Sequence, residues 1–409
     1  MRILHISYSA ELGGAARCAY RIHQALSSDT TGIESSMLVI KKQTKDKNIF
    51  SLGRWRERRR KIAGYLERKI SVWLGAHDHF PVHTMGLWGC GLNKAIRKLK
   101  PDVIHIHWIS NGMMSIPDIS KISLPIVWTL HDLWPVLGIR HYPEKIKVTE
   151  IISQSGDYIS SPNWLSRWIY KKKAAAWKDL NITFVSQCDW SLRIAQQSMV
   201  GQGHKHSLIP CPLDTSVFTP KERKTCRENL SIDSDEKLIL VGASGMVSLR
   251  NEVKGFKYFF EALAQFPKKI DGSVVRIVTI GNSSEIPELP LPVTHLGHIN
   301  NIDQLSVIYS AADVLVVPSL METFGQSISE SMACGTPVVG FDLTSQKDLI
   351  EDGKTGYLAQ FPDVNELCSK IELCLKLPNE IRKYARRKAE KEWCTSVVIK
   401  KYTDVYKTV

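Results

Sequence analysis

The stretch "METFGQSISESMACGTPVVGF", residues 321–341, sets two carboxylates, Glu322 and Glu330, around a single helix start. The preceding "DVLVVPS" reads as a strand, "LMET" as a loop, and "FGQSISESMAC" as a helix closed by Gly335. Glu322 then sits on a loop at the carboxyl end of a strand, and Glu330 lies about one and a half turns into the helix. Backbone amides near Phe324, Gly325 and Gln326 open that helix, where exposed N–H groups and the helix dipole favour an anion. Amides for a pyrophosphate, one carboxylate for a hexose and another for a ribose are the set a nucleotide diphosphate sugar needs. The plainer alternative has Glu322 capping the helix and Glu330 on the surface.

Further groups suit the same chemistry. In "GASGMVSLRNEVKGFKYFFEAL", residues 242–263, a strand runs through a turn into a helix. At such a turn Lys254 can reach a phosphate, and Arg250, four residues earlier, can share the stabilisation of a leaving diphosphate. In "SYSAELGGAARCAYRIHQAL", Gly13 and Gly14 let backbone approach a phosphate or acceptor closely. The pattern is not G-x-G-x-x-G, which counts against a nicotinamide site. "VWTLHDLWPVLG" places His131 and Asp132 at the end of a strand. "HIHW" puts His105 and His107 on one strand face, as a metal pair, as buried strand residues or as acceptor-cleft residues. Leu296 lies in "THLGHIN", the expected base pocket. Asp233-Ser234-Asp235 has the D-x-D form of a metal motif but precedes a strand instead of following one, and "HDHFPVH" lacks helical metal-ligand spacing, so both read as loops.

The elements that must hold these residues alternate strand and helix patterns along the chain. Apolar runs such as "RILHIS", "DVIHIHW", "PIVWTL", "ITFVS", "KLILVGAS", "VRIVTIG" and "PVVGFD" read as strands of parallel sheets, hence an α/β fold. The 409 residues suit two domains. "HSLIPCPLDTSVFTPKER", with three prolines, marks a hinge between two Rossmann-like halves, residues 1–215 and 216–390, with ligands expected in the cleft between them. The last residues, 391–409, read as an amphipathic helix packing back.

Composition narrows the class. The nine scattered cysteines form no C-x-x-C pair, which opposes a disulfide framework or a zinc site. The net charge of +13 favours nucleic acid, an anionic membrane or phosphorylated substrates. It is concentrated in "RWRERRRKIAGYLERKISVWL", residues 54–74, where aromatic and aliphatic residues interleave with Lys and Arg as in a helix lying on anionic lipid; the alternative is a solvated basic face. With no membrane-length apolar run and no signal-peptide pattern, the expected location is cytoplasmic, including a peripheral place on the inner face of the cell membrane.

Taken with the Glu, seven residues, Glu spacing, essentially the whole chain resembles the retaining GT-B glycosyltransferases of glycosyltransferase family 4. The resemblance implies two Rossmann-like domains facing each other across a cleft, acceptor-binding at the N-terminus and donor-binding at the C-terminus. It gives Glu322 the donor sugar, Glu330 the ribose, Arg250 and Lys254 the leaving diphosphate, His131 the donor sugar's reacting face, and Gly13 and Gly14 the donor–acceptor junction. The implied donor is a nucleotide diphosphate sugar, UDP before GDP. The implied acceptor is a glycan or lipid-linked oligosaccharide of bacterial cell-surface polysaccharide, with no metal and no cofactor. Two rivals stand beside this reading: a non-hydrolysing sugar-nucleotide epimerase of the same fold, and a nucleic-acid-binding protein suggested by charge alone.

Overall fold

The computed structural model describes residues 1–28, 32–74, 83–143, 163–247, 252–283, 287–377 and 380–409. It divides into two compact units, one of Met1–Pro210 with Val398–Val409 and one of Cys211–Val397. The division falls at 211, slightly before the boundary at 216 expected from the prolines.

In the first unit the chain runs β1 (Arg2–Ser9), α1 (Gly14–Leu26), β2 (Glu34–Lys41), β3 (Ile49–Ser51), α2 (Arg54–Trp73), α3 (Asn93–Leu99), β4 (Val103–Ile106), α4 (Ile116–Ser120), β5 (Ile126–Thr129), α5 (Trp164–Trp177), β6 (Ile182–Ser186), α6 (Asp189–Gln197) and β7 (Lys205–Leu208). Its seven strands are all parallel, in the order β3-β2-β1-β4-β5-β6-β7. The central strands β4, β5 and β6 are buried at every position, as predominantly apolar strands of a parallel sheet are when helices cover both faces. Trp128 packs against Trp177 at a ring separation of 5.2 Å, and burying an aromatic of this size contributes roughly 2–3 kcal/mol.

The second unit contains α7 (Arg223–Asn229), β8 (Lys237–Val247), α8 (Phe256–Leu263), β9 (Lys269–Ile270), β10 (Ser273–Ser283), β11 (Val293–His295), α9 (Ile302–Ala311), β12 (Val314–Val317), α10 (Gln326–Ala333), β13 (Val338–Phe341), α11 (Thr344–Leu349), β14 (Gly356–Ala359), α12 (Val364–Leu375) and α13 (Glu380–Trp393). Its sheet order is β11-β10-β8-β12-β13-β14, parallel throughout, with β9 antiparallel to β10. The strand order reverses between β8 and β12, and open α/β sheets bind ligands beyond the carboxyl ends of the strands at such a switch point.

The C-terminal stretch is two helices, not the single one its pattern suggests. α13 ends at Trp393 and α14 (Thr395–Thr408) begins after a break at Cys394, which bridges to Leu213. Trp393 stays with the second unit, its carbonyl accepting from the Leu213 amide at 2.8 Å. From Val398 onward α14 belongs to the first unit, where Tyr402 and Tyr406 are fully enclosed.

α2 turns the usual amphipathic arrangement round. Its packed face holds Arg60, Ala63, Glu67 and Ser71, with Gly64 set against the Asn111 backbone. The Arg60 guanidinium donates to the Asn111 carbonyl at 3.2 Å, and Glu67 accepts from the Leu87 amide at 3.1 Å. Burial pushes the Glu67 carboxyl up to about 7. Trp55, Ile62, Tyr65, Leu66, Val72 and Trp73 all face outward.

Candidate functional site

The switch point of the second unit is where Lys254 and Glu322 meet. β8 leads into the turn holding Lys254, and β12 leads into the loop holding Glu322, because adjacent parallel strands deliver both loops to one end of the sheet. The Lys254 ammonium donates to Glu322 Oε1, which also accepts from the Ser319 hydroxyl at 3.0 Å. The Leu320 amide donates to the Val253 carbonyl at 2.8 Å, joining the two loops by backbone. Gly255 allows this approach: its φ is +63°, and a Cβ there would stand 1.9 Å from the Pro318 carbonyl oxygen.

The start of α11, after β13, braces the second loop. The Glu322 amide donates to Thr344 Oγ1 at 3.2 Å, and the Gln346 amide nitrogen donates to the Ser319 carbonyl at 2.6 Å. Thr344 holds this position at φ +44°, costly for a β-branched residue and a mark of local over-determination. Neither Ser319, Thr344 nor Gln346 carries a recognisable sequence signal, since each acts by closing a loop onto its neighbour.

Gly325, with φ +80°, is the N-cap of α10 and, having no side chain, offers it no side-chain cap, and the first turn holds no acid. Such a start favours an anion over a capping carboxylate. The capping alternative for Glu322 therefore fails, as its carboxylate is turned to Lys254 and Ser319. Phe324 is buried edge-on to Trp393 at a ring separation of 6.1 Å, and Gln326 begins the helix half-buried. Glu330 is only 3% exposed, so the surface alternative fails too; its Oε2 accepts from the Tyr309 hydroxyl at 3.1 Å. Leu296 lies half-buried just beyond β11, its amide donating to the Thr279 carbonyl at 3.0 Å. Arg250 lies outside the described residues.

In the first unit, Gly13 caps α1 at φ +91°, exposed, with Gly14 as the first helical residue. His131 and Asp132 follow β5 as expected. Asp132 is a loop organiser: one oxygen accepts from Trp108 Nε1 at 2.8 Å and His141 Nδ1 at 2.5 Å, the other from the Trp134 amide at 3.0 Å. Burial alone would raise its carboxyl, but His141 and the Trp134 amide outweigh it and hold it below the usual range. Beneath the same loop Lys173 is completely buried, its ammonium donating to the carbonyls of Trp134, Leu137 and Gly138. That buried lysine fixes the loop after His131, and its sequence context, one of three lysines in a helix, conceals it.

His131 is half-buried, and burial drives its imidazole down to about 4. His105 and His107 are buried strand-end residues with ring centroids 4.1 Å apart, sharing a face as the strand period requires. The D-x-D stretch forms an exposed turn in which the Asp235 amide donates to Asp233 Oδ1 at 3.0 Å. Of "HDHFPVH", residues 77–82 lie outside the described residues.

The chain is similar to known glycosyltransferases. Residues 222–392 match the family described as glycosyl transferases group 1. The D-inositol 3-phosphate glycosyltransferase of Segniliparus rotundus is 24% identical over 296 residues, covering 69% of this chain and 60% of that protein. The chain thus spans about three fifths of the length of this curated relative. Sucrose-phosphate synthase from Thermosynechococcus elongatus superposes with a TM-score of 0.70 at 19% identity, covering 100% of this chain and 98% of that one. Anabaena HepE in complex with UDP-glucose superposes with a TM-score of 0.66 at 16% identity, covering 100% of both chains.

Proposed function

We propose that the protein is a retaining, metal-independent hexosyltransferase of family 4 type, a reading supported by the match of residues 222–392 to glycosyl transferases group 1 and by the GT-B fold of the chain. It moves a sugar from a nucleotide diphosphate sugar, UDP before GDP, to a glycan or lipid-linked acceptor in bacterial cell-surface polysaccharide synthesis. The observation carrying this reading is the laced pair Lys254–Glu322 at the β8/β12 switch point, beside the uncapped start of α10. The UDP-glucose held by Anabaena HepE supports the uridine donor.

In this reading the Lys254 ammonium, the α10 amides and Arg250 neutralise the diphosphate as the bond from the anomeric carbon to its oxygen breaks. Glu322 takes the hexose hydroxyls and Glu330 the ribose. The acceptor oxygen bonds to the anomeric carbon on the face the diphosphate leaves, and the acceptor proton passes to the departing phosphate oxygen. Protein groups supply the positive charge, so turnover persists in chelator.

The outward face of α2 fits a lipid-linked acceptor. Trp55, Ile62, Leu66 and Trp73 are flanked by exposed Arg58, Arg59, Lys61 and Lys69, a composition complementary to anionic lipid. No helix among the described residues is long and apolar enough to cross a membrane.

The test is to incubate the protein with sugar nucleotides and an extracted lipid-linked acceptor in excess EDTA, then read the product's anomeric configuration by NMR. Transfer with the donor's configuration is expected. An inverted product, loss of turnover on chelation, or donor conversion without acceptor, the signature of the epimerase rival, would each overturn it.

A further inference from the structure

We propose that His5, His107 and His131 form a one-way hydrogen-bonded chain that fixes His131 as an N–H donor through Nδ1 and withdraws its Nε2 lone pair from acid–base chemistry, with His107 and Gln187 as the positioning residues. His5 Nδ1 lies 3.0 Å from His107 Nε2, and His107 Nδ1 lies 2.9 Å from His131 Nε2. A neutral imidazole has one N–H and one lone pair, so rings joined nitrogen to nitrogen must all point their protons the same way. The ends of the chain decide which way.

At the outer end, the Gln187 side-chain nitrogen donates to Cys18 Sγ at 3.3 Å. The side-chain hydrogen bond between Gln187 and His131 favours the protonated imidazole, as an accepting amide oxygen does, so His131 donates to it. At the inner end, His5 Nε2 is fully buried and has no hydrogen-bond partner among the described residues. With protons on all three Nδ1 atoms this orphan is a lone pair; with the chain reversed it would be an N–H, and buried orphan N–H groups are the rarer kind.

The surroundings leave the chain undisturbed. His105 lies beside it, but its nitrogens face the Tyr406 hydroxyl at 2.6 Å and Thr129 Oγ1 at 2.8 Å, and Tyr402 bonds Thr129 in turn at 3.0 Å. His23, on α1, faces Ser35 at 2.7 Å and Asp46 at 3.2 Å. Asp132 is engaged by His141 and two tryptophans. Burial in this setting holds His5, His105 and His107 neutral. Donor atoms of these same three rings also lie within 4.8 Å of one another, close enough for a metal ion, whereas the chain requires them to bond to each other and to the hydroxyls.

The role rests on the glycosyltransferase reading in one respect: a sugar hydroxyl replaces the Gln187 oxygen as the acceptor for His131 Nδ1–H. His131 then orients the sugar and takes no proton from it.

The experiment is a long-range 1H–15N spectrum of histidine-labelled protein, with His131 assigned from His131→Gln. In the wild type, His131 should show a protonated Nδ1 and an unprotonated Nε2, unchanged from about pH 8 to about pH 5. Gln187→Leu should release this tautomer, Gln187→Glu should keep it, and His107→Phe, which removes the donor to His131 Nε2, should leave the proton shared between Nδ1 and Nε2 in the same spectrum. A proton on Nε2, a His131 that titrates above about pH 5, or a divalent metal copurifying at one per chain would overturn the proposal. The wild-type and Gln187→Leu spectra decide it even if His107→Phe fails to fold. They also decide it if no sugar transfer is found, so the two readings fail separately.

Discussion

Replacing Glu322 with Ala is expected to lower kcat/KM for sugar transfer by about 10²–10³-fold, with little change in melting temperature. Its carboxylate accepts both the Lys254 ammonium and the Ser319 hydroxyl, and its amide is held by Thr344. Losing it therefore removes the hexose acceptor and releases the lysine that stabilises the leaving diphosphate. Stability suffers little, because the Lys254 side chain is 29% exposed and water replaces its partner, so the pair is of the kind worth at most about 1 kcal/mol. Lys254→Ala should give a comparable loss, and the double variant should be far less than multiplicative, since the two residues act as a unit. Steady-state kinetics alongside thermal melts check this; turnover within about threefold of wild type in either single variant would remove that residue from the mechanism.

Changing Trp55, Ile62, Leu66 and Trp73 together to Ser should release the protein from vesicles of phosphatidylglycerol and phosphatidylcholine, cutting the partition coefficient by at least about 100-fold. Each large apolar side chain contributes roughly 1.5–3 kcal/mol when fully buried, and partial insertion of four still exceeds that loss. These residues are 67%, 59%, 39% and 82% exposed, so their replacement leaves the core intact. Neutralising Arg58, Arg59, Lys61 and Lys69 should weaken binding by about fivefold per charge, an effect that salt erases. Arg60, in the same basic run, is excluded from this set because it is buried against the Asn111 carbonyl. Co-sedimentation decides the matter, and equal retention of wild type and apolar variant would end the membrane assignment.

How legible these features were depends on how local their causes are. The alternation of buried strands with helices set the two α/β units, and the loop-to-helix pattern around Gly325 placed Glu322 and Glu330 where they are found. α2 was visible as a helix, but its orientation was not: periodicity marks two faces, and the polar one packs because Arg60 and Glu67 find backbone partners distant in sequence. The polar strand β7, "KHSL", escaped because an edge strand need not be apolar. The break at Cys394 escaped because helical pattern continues across it. His5 and His107 gave no sign of their contact, since β1 and β4 are nearly a hundred residues apart and only sheet register brings them together.

The most direct test of the central claim is thermal unfolding of wild type and Glu330→Leu against UDP, GDP, ADP and their common sugars, because a ligand bound only by the folded state raises the melting temperature by mass action. A rise with the uridine nucleotides for the wild type, reduced in Glu330→Leu, is the result expected of a donor site built from Lys254, Glu322, Glu330 and the start of α10. An unchanged melting temperature with every nucleotide would contradict that site and the glycosyl-transfer function drawn from it.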